Sequence, residues 1–298
     1  MKFLSKFLDL LKPGKIWSFA LYQLATEFDM KALRDPKIVF NSKRIRFNKK
    51  IPYTKADPFV TVVNDVLYIF FELVIPSGRG VIACYSTDDL INFKDEGIVL
   101  EENHHLSFPF IIEFDGQIYM IPEAGISGKV SLYKFTEFPR GLRNIKTLLS
   151  GNFMDSFLLN HNEMWYLFTT SGEGELHLFV SGSLLNNDFL PHPANPISTD
   201  LRYSRSAGGP IKLGSQLCRI SQDCSVNYGN NINFHAILEI TPTSYQEKIL
   251  RENFFAKQDE WNLLGAHHLS TCAFKNGYVV AADGKHFDYW INRILLRI

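Results

Sequence analysis

Short runs of alternating apolar and polar residues, each opened by a polar or small residue, recur along the chain at intervals of about fifty residues. The openers are Asp57 (ADPFVTVV), Ser107 (SFPFIIEF), Asp155 (MDSFLLNH), Ser206 (RSAGGPIKL) and His267 (HHLSTCAF). Each run ends at a turn and resumes as a partner strand: NDVLYIFFE, DGQIYMIPEA, HNEMWYLFTT, GSQLCRISQD and KNGYVVAAD. Four periods continue into a third strand, GVIACYSTD, KVSLYKFTE, ELHLFVSGS and NFHAILEIT. Period-two alternation with β-branched and aromatic enrichment selects strand over helix. Fourth strands around GIVLEE, IKTLLSG and KILREN are weaker, as edge strands on an outer rim should be.

A repeat of this length, whose strands cannot bury their faces alone, is the signature of a β-propeller. Five periods predict an all-β, five-bladed β-propeller. The first strand of every blade then lines a central channel, so the five openers converge on one mouth although they are far apart in sequence. The chain ends in YWINRILLRI, which reads as the third strand of the last blade. Closure of the ring then requires an outer strand from the N-terminal side, either IWSFALYQ or KIVFN. Residues 1–298 are read as a single domain, with 1–35 as a helical extension packed on the rim. The Pro- and Asn-rich stretch from Asn186 to Arg205 is expected to be a long loop between blades three and four.

Composition narrows the partners. Lys plus Arg and Asp plus Glu both number 31, and the pI is near 7.1, which disfavours nucleic acid and other polyanions. The four cysteines, Cys84, Cys218, Cys224 and Cys272, show no metal-type spacing and read as reduced thiols. The N-terminal MKFLSKFLDLLKPGKIWSF is basic and apolar, but Lys6, Asp9 and Lys12 interrupt it and no small-residue cleavage site follows. The expected location is therefore cytoplasmic, with peripheral contact to the inner membrane face as a further expectation.

Chemistry is sought at the mouth. Asp57 is a carboxylate on a Pro-stiffened backbone, placed to take a proton from a hydroxyl, although an aspartate there also caps a strand entry. Asp155 and Glu123 are the other acids. Blade four offers Arg202, Arg205 and Arg219 beside the Gly208-Gly209 backbone, a set suited to phosphate or, in the plainer reading, to packing and pairing with Asp200 or Asp223. His104 with His105, and His267 with His268, form adjacent pairs at strand entries, and His286 follows AADGK. Only one member of each pair can face the channel. Hydrogen bonding to sugar hydroxyls or phosphate is favoured over a metal site for them. Phe108 and Tyr228 are candidates for stacking on a sugar ring. Ser107, Asp223 and Asp283 complete the set of candidate substrate-binding residues, with His105, Arg205, Arg219, His267 and His268.

ADPFVTVVNDVLYIFFE, with STDDLINFKDEG after it, resembles the opening of glycoside hydrolase family 43 and of families 32, 62 and 68. These are five-bladed propellers, and the resemblance puts Asp57 in the place of their catalytic base. Blade two departs from them, with Ser107-Phe108-Pro109 where they carry a second Asp-Pro, and blade three has Met154-Asp155-Ser156 where they carry the general acid. Either Asp155 or Glu123 then substitutes as the acid, or the leaving group needs no proton. Over most of its length, through ADPFV, HLSFPFIIEFDGQIYMIPEA, RSAGGPI, RISQDCSVNYGNNI and GAHHLSTCAFKNGYVVAADG, the chain resembles the N-terminal propeller of glucosamine inositolphosphorylceramide transferases. That resemblance implies sugar chemistry in surface-glycan assembly. The expected function is a glycosyltransferase that uses a sugar nucleotide and a glycan acceptor, without a metal or other cofactor, alongside partner biosynthetic enzymes. A glycoside hydrolase or phosphorylase, and a non-catalytic glycan-binding or scaffold propeller, are the rivals.

Overall fold

The computed structural model describes residues 14–31, 33–42, 54–257 and 260–288. Within them the five periods are five antiparallel sheets. Blade one runs from axis to rim through Thr54–Val63, Val66–Val74, Gly80–Thr87 and Lys94–Leu100. Blade two uses Ser107–Phe114, Gln117–Glu123, Lys129–Glu137 and Arg140–Ser150. Blade three uses Phe153–His161, Met164–Ser171, Leu176–Ser181 and Leu190–Pro191. In blade four the inner strand is broken into Arg205–Ser206 and Ile211–Leu213, before Gln216–Asp223, Asn231–Ile240 and Tyr245–Arg251.

Local sequence explains the hairpins. Inner and second strands of the first three blades join through two-residue turns, Asn64-Asp65, Asp115-Gly116 and Asn162-Glu163, with positive φ at both positions. Such turns match the twist of the flanking strands, and Asn, Asp and Gly tolerate them best. The inner strands then abut in a ring. Leu269 donates its N–H to the Ala207 carbonyl between blades five and four, and Val60 donates to Ser270 Oγ between blades one and five. The Phe110 and Phe157 rings meet between blades two and three. Apolar clusters fill the wedges between neighbouring blades, from Phe70 and Met120 between blades one and two to Ile232 and Val280 between four and five.

Blade five is completed by the N-terminal region, as closure demands, but with two strands rather than one. Outward from Leu269–Phe274 and Gly277–Asp288 lie Gly14–Leu24 and then Ile38–Phe40, so both candidate segments are used. Gly14–Leu24 is antiparallel to Gly277–Asp288 along its whole length, from Gly14 opposite Asp288 to Leu24 opposite Tyr278. The third-strand slot expected for YWINRILLRI is thus taken by residues 14–24, and residues 289–298 lie outside the described residues.

The same observation corrects the expected helical extension, of which residues 1–13 also lie outside the described residues. Residues 14–24 are strand because IWSFALY is buried on both faces. Phe19 and Leu21 pack with blade one, and Ala20 and Tyr22 pack with blade four. The expected loop from Asn186 to Arg205 likewise contains the outer strand of blade three, Leu190–Pro191, paired with Phe179 and Val180. All four cysteines are free thiols.

If the closure strand is part of the core, Phe19→Ala should cost about 3–5 kcal/mol, the usual range for emptying a buried phenylalanine site. Urea unfolding measures it, and a loss below about 1 kcal/mol would show that the N-terminal strand is dispensable.

Candidate active site

Three inner strands open with the same kink. Asp57, Phe108 and Asp155 have φ of 51°, 43° and 50°. Pairing with the second strand skips between Ala56 and Phe59, between Ser107 and Phe110, and between Met154 and Phe157. A bulge carrying a non-glycine residue in the left-handed region re-aims its side chain at a cost of roughly 1–3 kcal/mol. This register makes Phe108, rather than Ser107, the blade-two counterpart of Asp57, a shift of one residue from the expected opener. Opposite the bulges stand Glu72, Glu123 and Thr170 on the second strands. Gln222, across from Arg205, and Asp283, which donates its N–H to the His268 carbonyl, hold that place in blades four and five. Sequence reading passes over Glu72 and Gln222, although FFE and MIPE occupy the same place in the repeat.

Asp57 lies at the floor of this mouth, its side chain 9% exposed. One carboxylate oxygen accepts the Phe108 N–H at 3.1 Å, which bridges blades one and two. The other is 3.7 Å from His267 Nε2 and 4.0 Å from His268 Nδ1. Asp283, fully buried, receives the backbone N–H groups of His267, His268 and Asp57 at 3.0, 2.9 and 3.1 Å, and its Oδ2 is 2.6 Å from His267 Nδ1.

The electrostatics follow from this packing. Burial pushes the Asp57 carboxyl well above the ordinary range; His267 opposes the shift, and Glu72, Asp283 and Asp155 add to it. Burial works against charge on His267, but Asp283 and then Asp57 outweigh it and hold the imidazole above its usual value. Burial also works against charge on Asp283, which His267 outweighs, so that carboxyl is lowered. The result is a His267–Asp283 ion pair beside a carboxyl that favours its neutral form. Burial drives His268 down to about 3, so it is a neutral ring, edge-on to Phe59 and Phe108.

Asp155 faces the mouth from blade three, with one oxygen accepting from Arg205 Nε at 2.6 Å and Gln222 Nε2 at 3.0 Å. Arg205 also lies 5.0 Å over the Tyr228 ring. Tyr228 is 43% exposed and stands edge-on to His267 and to Trp17, and Trp17 stacks on the His267 imidazole at 3.8 Å. Trp17 comes from the closure strand, so its place here could be found only by solving the ring's seam. On the blade-two side Ser107 donates to Glu123 Oε2 at 2.7 Å and the Gly125 N–H reaches Oε1 at 2.8 Å. Burial, then Asp155, raises the Glu123 carboxyl. His105 pairs with Glu72 at 2.8 Å, and that hydrogen bond raises the imidazole above its usual value.

Several expected ligands are otherwise engaged. Arg219, 0% exposed, points to the flank of blade four, where it grips both oxygens of Glu247 and donates to the Tyr203 carbonyl, out of reach of a phosphate in the mouth. Arg202, itself exposed, is bidentate to half-buried Asp200. Gly208-Gly209 is a packing element, since a Cβ at Gly208 would run into the Leu269 carbonyl. Asp223 accepts from the Ser225 N–H and hydroxyl and from Asn230, which fixes the loop that presents Tyr228. Phe108, buried against Phe59 and His268, seals the floor and offers no stacking face. His286 bonds Ser18 within blade five.

Asp57, His267 and Asp283 also present donor atoms within 4.8 Å of one another, a set able to hold a cation. Metal ligation requires His267 to surrender its proton, which Asp283 and Asp57 oppose.

A ring of blades whose inner-strand entries and second-strand ends build a carboxylate-rich axial mouth defines a five-bladed β-propeller. A family 43 α-L-arabinofuranosidase of Clostridium thermocellum superposes with a TM-score of 0.57 at 17% identity, over 76% of this chain and 81% of that one. A family 62 α-L-arabinofuranosidase domain of Coprinopsis cinerea gives 0.56 at 13%, over 89% and 97%. A family 117 glycoside hydrolase of Zobellia galactanivorans gives 0.54 at 14%, over 91% and 90%. These likenesses establish the shared five-bladed fold. Residues 46–285 match the model of the family glucosamine inositolphosphorylceramide transferase 1, N-terminal, and the chain belongs to that family. It is 32% identical to glucosamine inositolphosphorylceramide transferase 1 of Arabidopsis thaliana and 30% identical to that of Oryza sativa subsp. japonica, over 77% of its own length. It spans only 32% and 33% of those relatives.

Since Arg219 serves the blade and not the mouth, Arg219→Ala should lower stability by about 3–5 kcal/mol, because it strands the Glu247 carboxylate. Chemical denaturation tests this, and an unchanged midpoint would return Arg219 to the candidate ligands.

Proposed function

We propose that the axial mouth is the active site of a carbohydrate-active enzyme in which Asp57 moves the proton. The observation that carries the reading is the buried Asp57 carboxyl, neutral by preference, next to the preformed His267–Asp283 ion pair. A carboxyl shifted toward its protonated form is the kind of donor that a glycosidic leaving oxygen needs. When the proton leaves, the new Asp57 anion lies 3.7 Å from His267 Nε2, whose positive charge stabilises it. That anion can then take a proton from the incoming hydroxyl, water in hydrolysis or a sugar hydroxyl in transfer. The expected base thus becomes an acid first and a base second. Asp155, ion-paired to Arg205, supplies negative charge against an oxocarbenium-like carbon, and Tyr228 offers the exposed ring for a sugar face.

Glycosyl transfer, with a sugar donor and a glycan acceptor, is the second reading, and family membership favours it. The arginines give a nucleotide donor little support, because Arg219 is committed to Glu247 and Arg205 to Asp155.

Asp57→Asn should lower turnover by roughly 10²–10⁴-fold with the fold intact. Retention of wild-type turnover on the true glycan would end this reading. The pH dependence has a definite sign. An acid works while protonated, so kcat/KM should fall as pH rises through the elevated Asp57 value. His267 holds that value down, so His267→Gln should move the alkaline limb to higher pH. A limb that stays in place, or moves down, would show that another group donates the proton.

A further inference from the structure

On the blade-five side of the mouth, cations gather that the proton chemistry does not use. Lys15 and Trp17 are two residues apart on the closure strand and share a face, while Lys285 is directly opposite Trp17 and diagonal to Lys15. The Lys285 ammonium is 5.2 Å from the Trp17 ring and 5.8 Å from the Tyr228 ring, and it donates to the Tyr228 carbonyl at 3.0 Å. Beside the same loop, Lys257 donates to Asn230 Oδ1. None of these three lysines forms a salt bridge with a carboxylate among the described residues. Asp223 is the acid nearest in influence, and its oxygens are taken up by Ser225 and Asn230. Burial, Lys15 and Lys257 together make it harder for Lys285 to keep its proton. Like charges collected without a counter-ion are unfavourable, and an anion among them reverses the sign.

We propose that Lys285, Lys257 and Lys15, with Trp17 and Tyr228 beside them, form a phosphoryl-binding rim that seats a phosphate group carried by the sugar ligand. The proposal rests on the reading of the mouth as a sugar site and adds the ligand's charge. A phosphate ester carries about −1.5 to −2 charge near neutrality, which three ammonium groups match better than the single charge of a uronate. Lysine binds phosphate as a point charge and needs no bidentate geometry, which fits a rim built from separate strands and a loop.

The test is calorimetric titration of the purified chain with pyrophosphate at low ionic strength, using Lys285→Gln, Lys257→Gln and the double variant. Pyrophosphate should bind the wild type, each single variant should lose about tenfold in affinity, the loss expected for one charge-assisted contact, and added salt should weaken binding. Asp57→Asn should bind pyrophosphate as the wild type does. No pyrophosphate binding, or equal binding by the double variant, overturns the rim. Glucuronate binding as tightly as pyrophosphate overturns the phosphate assignment. An Asp57-dependent activity on a neutral glycan, with pyrophosphate inert, removes this inference and leaves the proposed chemistry standing. Pyrophosphate bound through the lysines, with Asp57→Asn fully active, supports the rim and removes that chemistry instead.

Discussion

The mouth depends on one buried carboxylate. Asp283 collects the N–H groups of Asp57, His267 and His268 and faces the His267 imidazole, so blades five and one share a single anion at the axis. A charge taken wholly out of water is tolerable only when its lone pairs are satisfied and a counter-charge is close. Here both conditions are met by groups that the proposed chemistry uses. Asp283 also sits on Gly277–Asp288, the strand that receives the N-terminal closure strand, opposite Phe19. Ring closure and site geometry are therefore coupled through one residue. Displacing the seam would unseat Asp57, His267 and Trp17 together.

Apart from Asp283, buried under His267, and His105, paired with Glu72, charge around the mouth is segregated. Blades one to three contribute Asp57, Glu72, Glu123 and Asp155, whereas blades four and five contribute Arg205, His267 and Lys285. Direct pairs cross the boundary where the two sets meet, Asp155 with Arg205 and Asp57 near His267, and these orient a field across the opening. A sugar lying across it would have hydroxyl acceptors on one side and cations on the other. This asymmetry suits a ligand that is itself polar at one end.

The fold was legible because its signal is a repeat. Alternation, hairpin turns and the fifty-residue period are local properties, and they located the blades, the turns and most third strands. What stayed hidden was non-local. IWSFALYQ reads as a strand, but nothing local says that it takes the third place in the last blade, where it brings Trp17 onto His267. Asp57, Asp155, His267 and Tyr228 could be picked because strand entries and loops at one end of a propeller must converge. Arg219 could not be excluded from sequence, since its partner Glu247 lies two strands away in an outer strand of weak pattern. Glu72 and Gln222 were readable in principle, as ends of second strands in register with Glu123, once those strands are counted as part of the mouth.

Phe108 shows how the departure from the hydrolase pattern works physically. It occupies in blade two the same left-handed bulge that aims Asp57 and Asp155, so the backbone device is present while the carboxylate is missing. Its ring closes the floor with Phe59 and His268, while its N–H is spent on Asp57. An aspartate there would add a negative charge beside Asp57 and admit water to the floor. The phenylalanine instead packs the floor with apolar rings, and burial is the largest cause of Asp57's shift toward its neutral form. The missing acid of blade two is thus part of what shifts the blade-one carboxyl toward its neutral form.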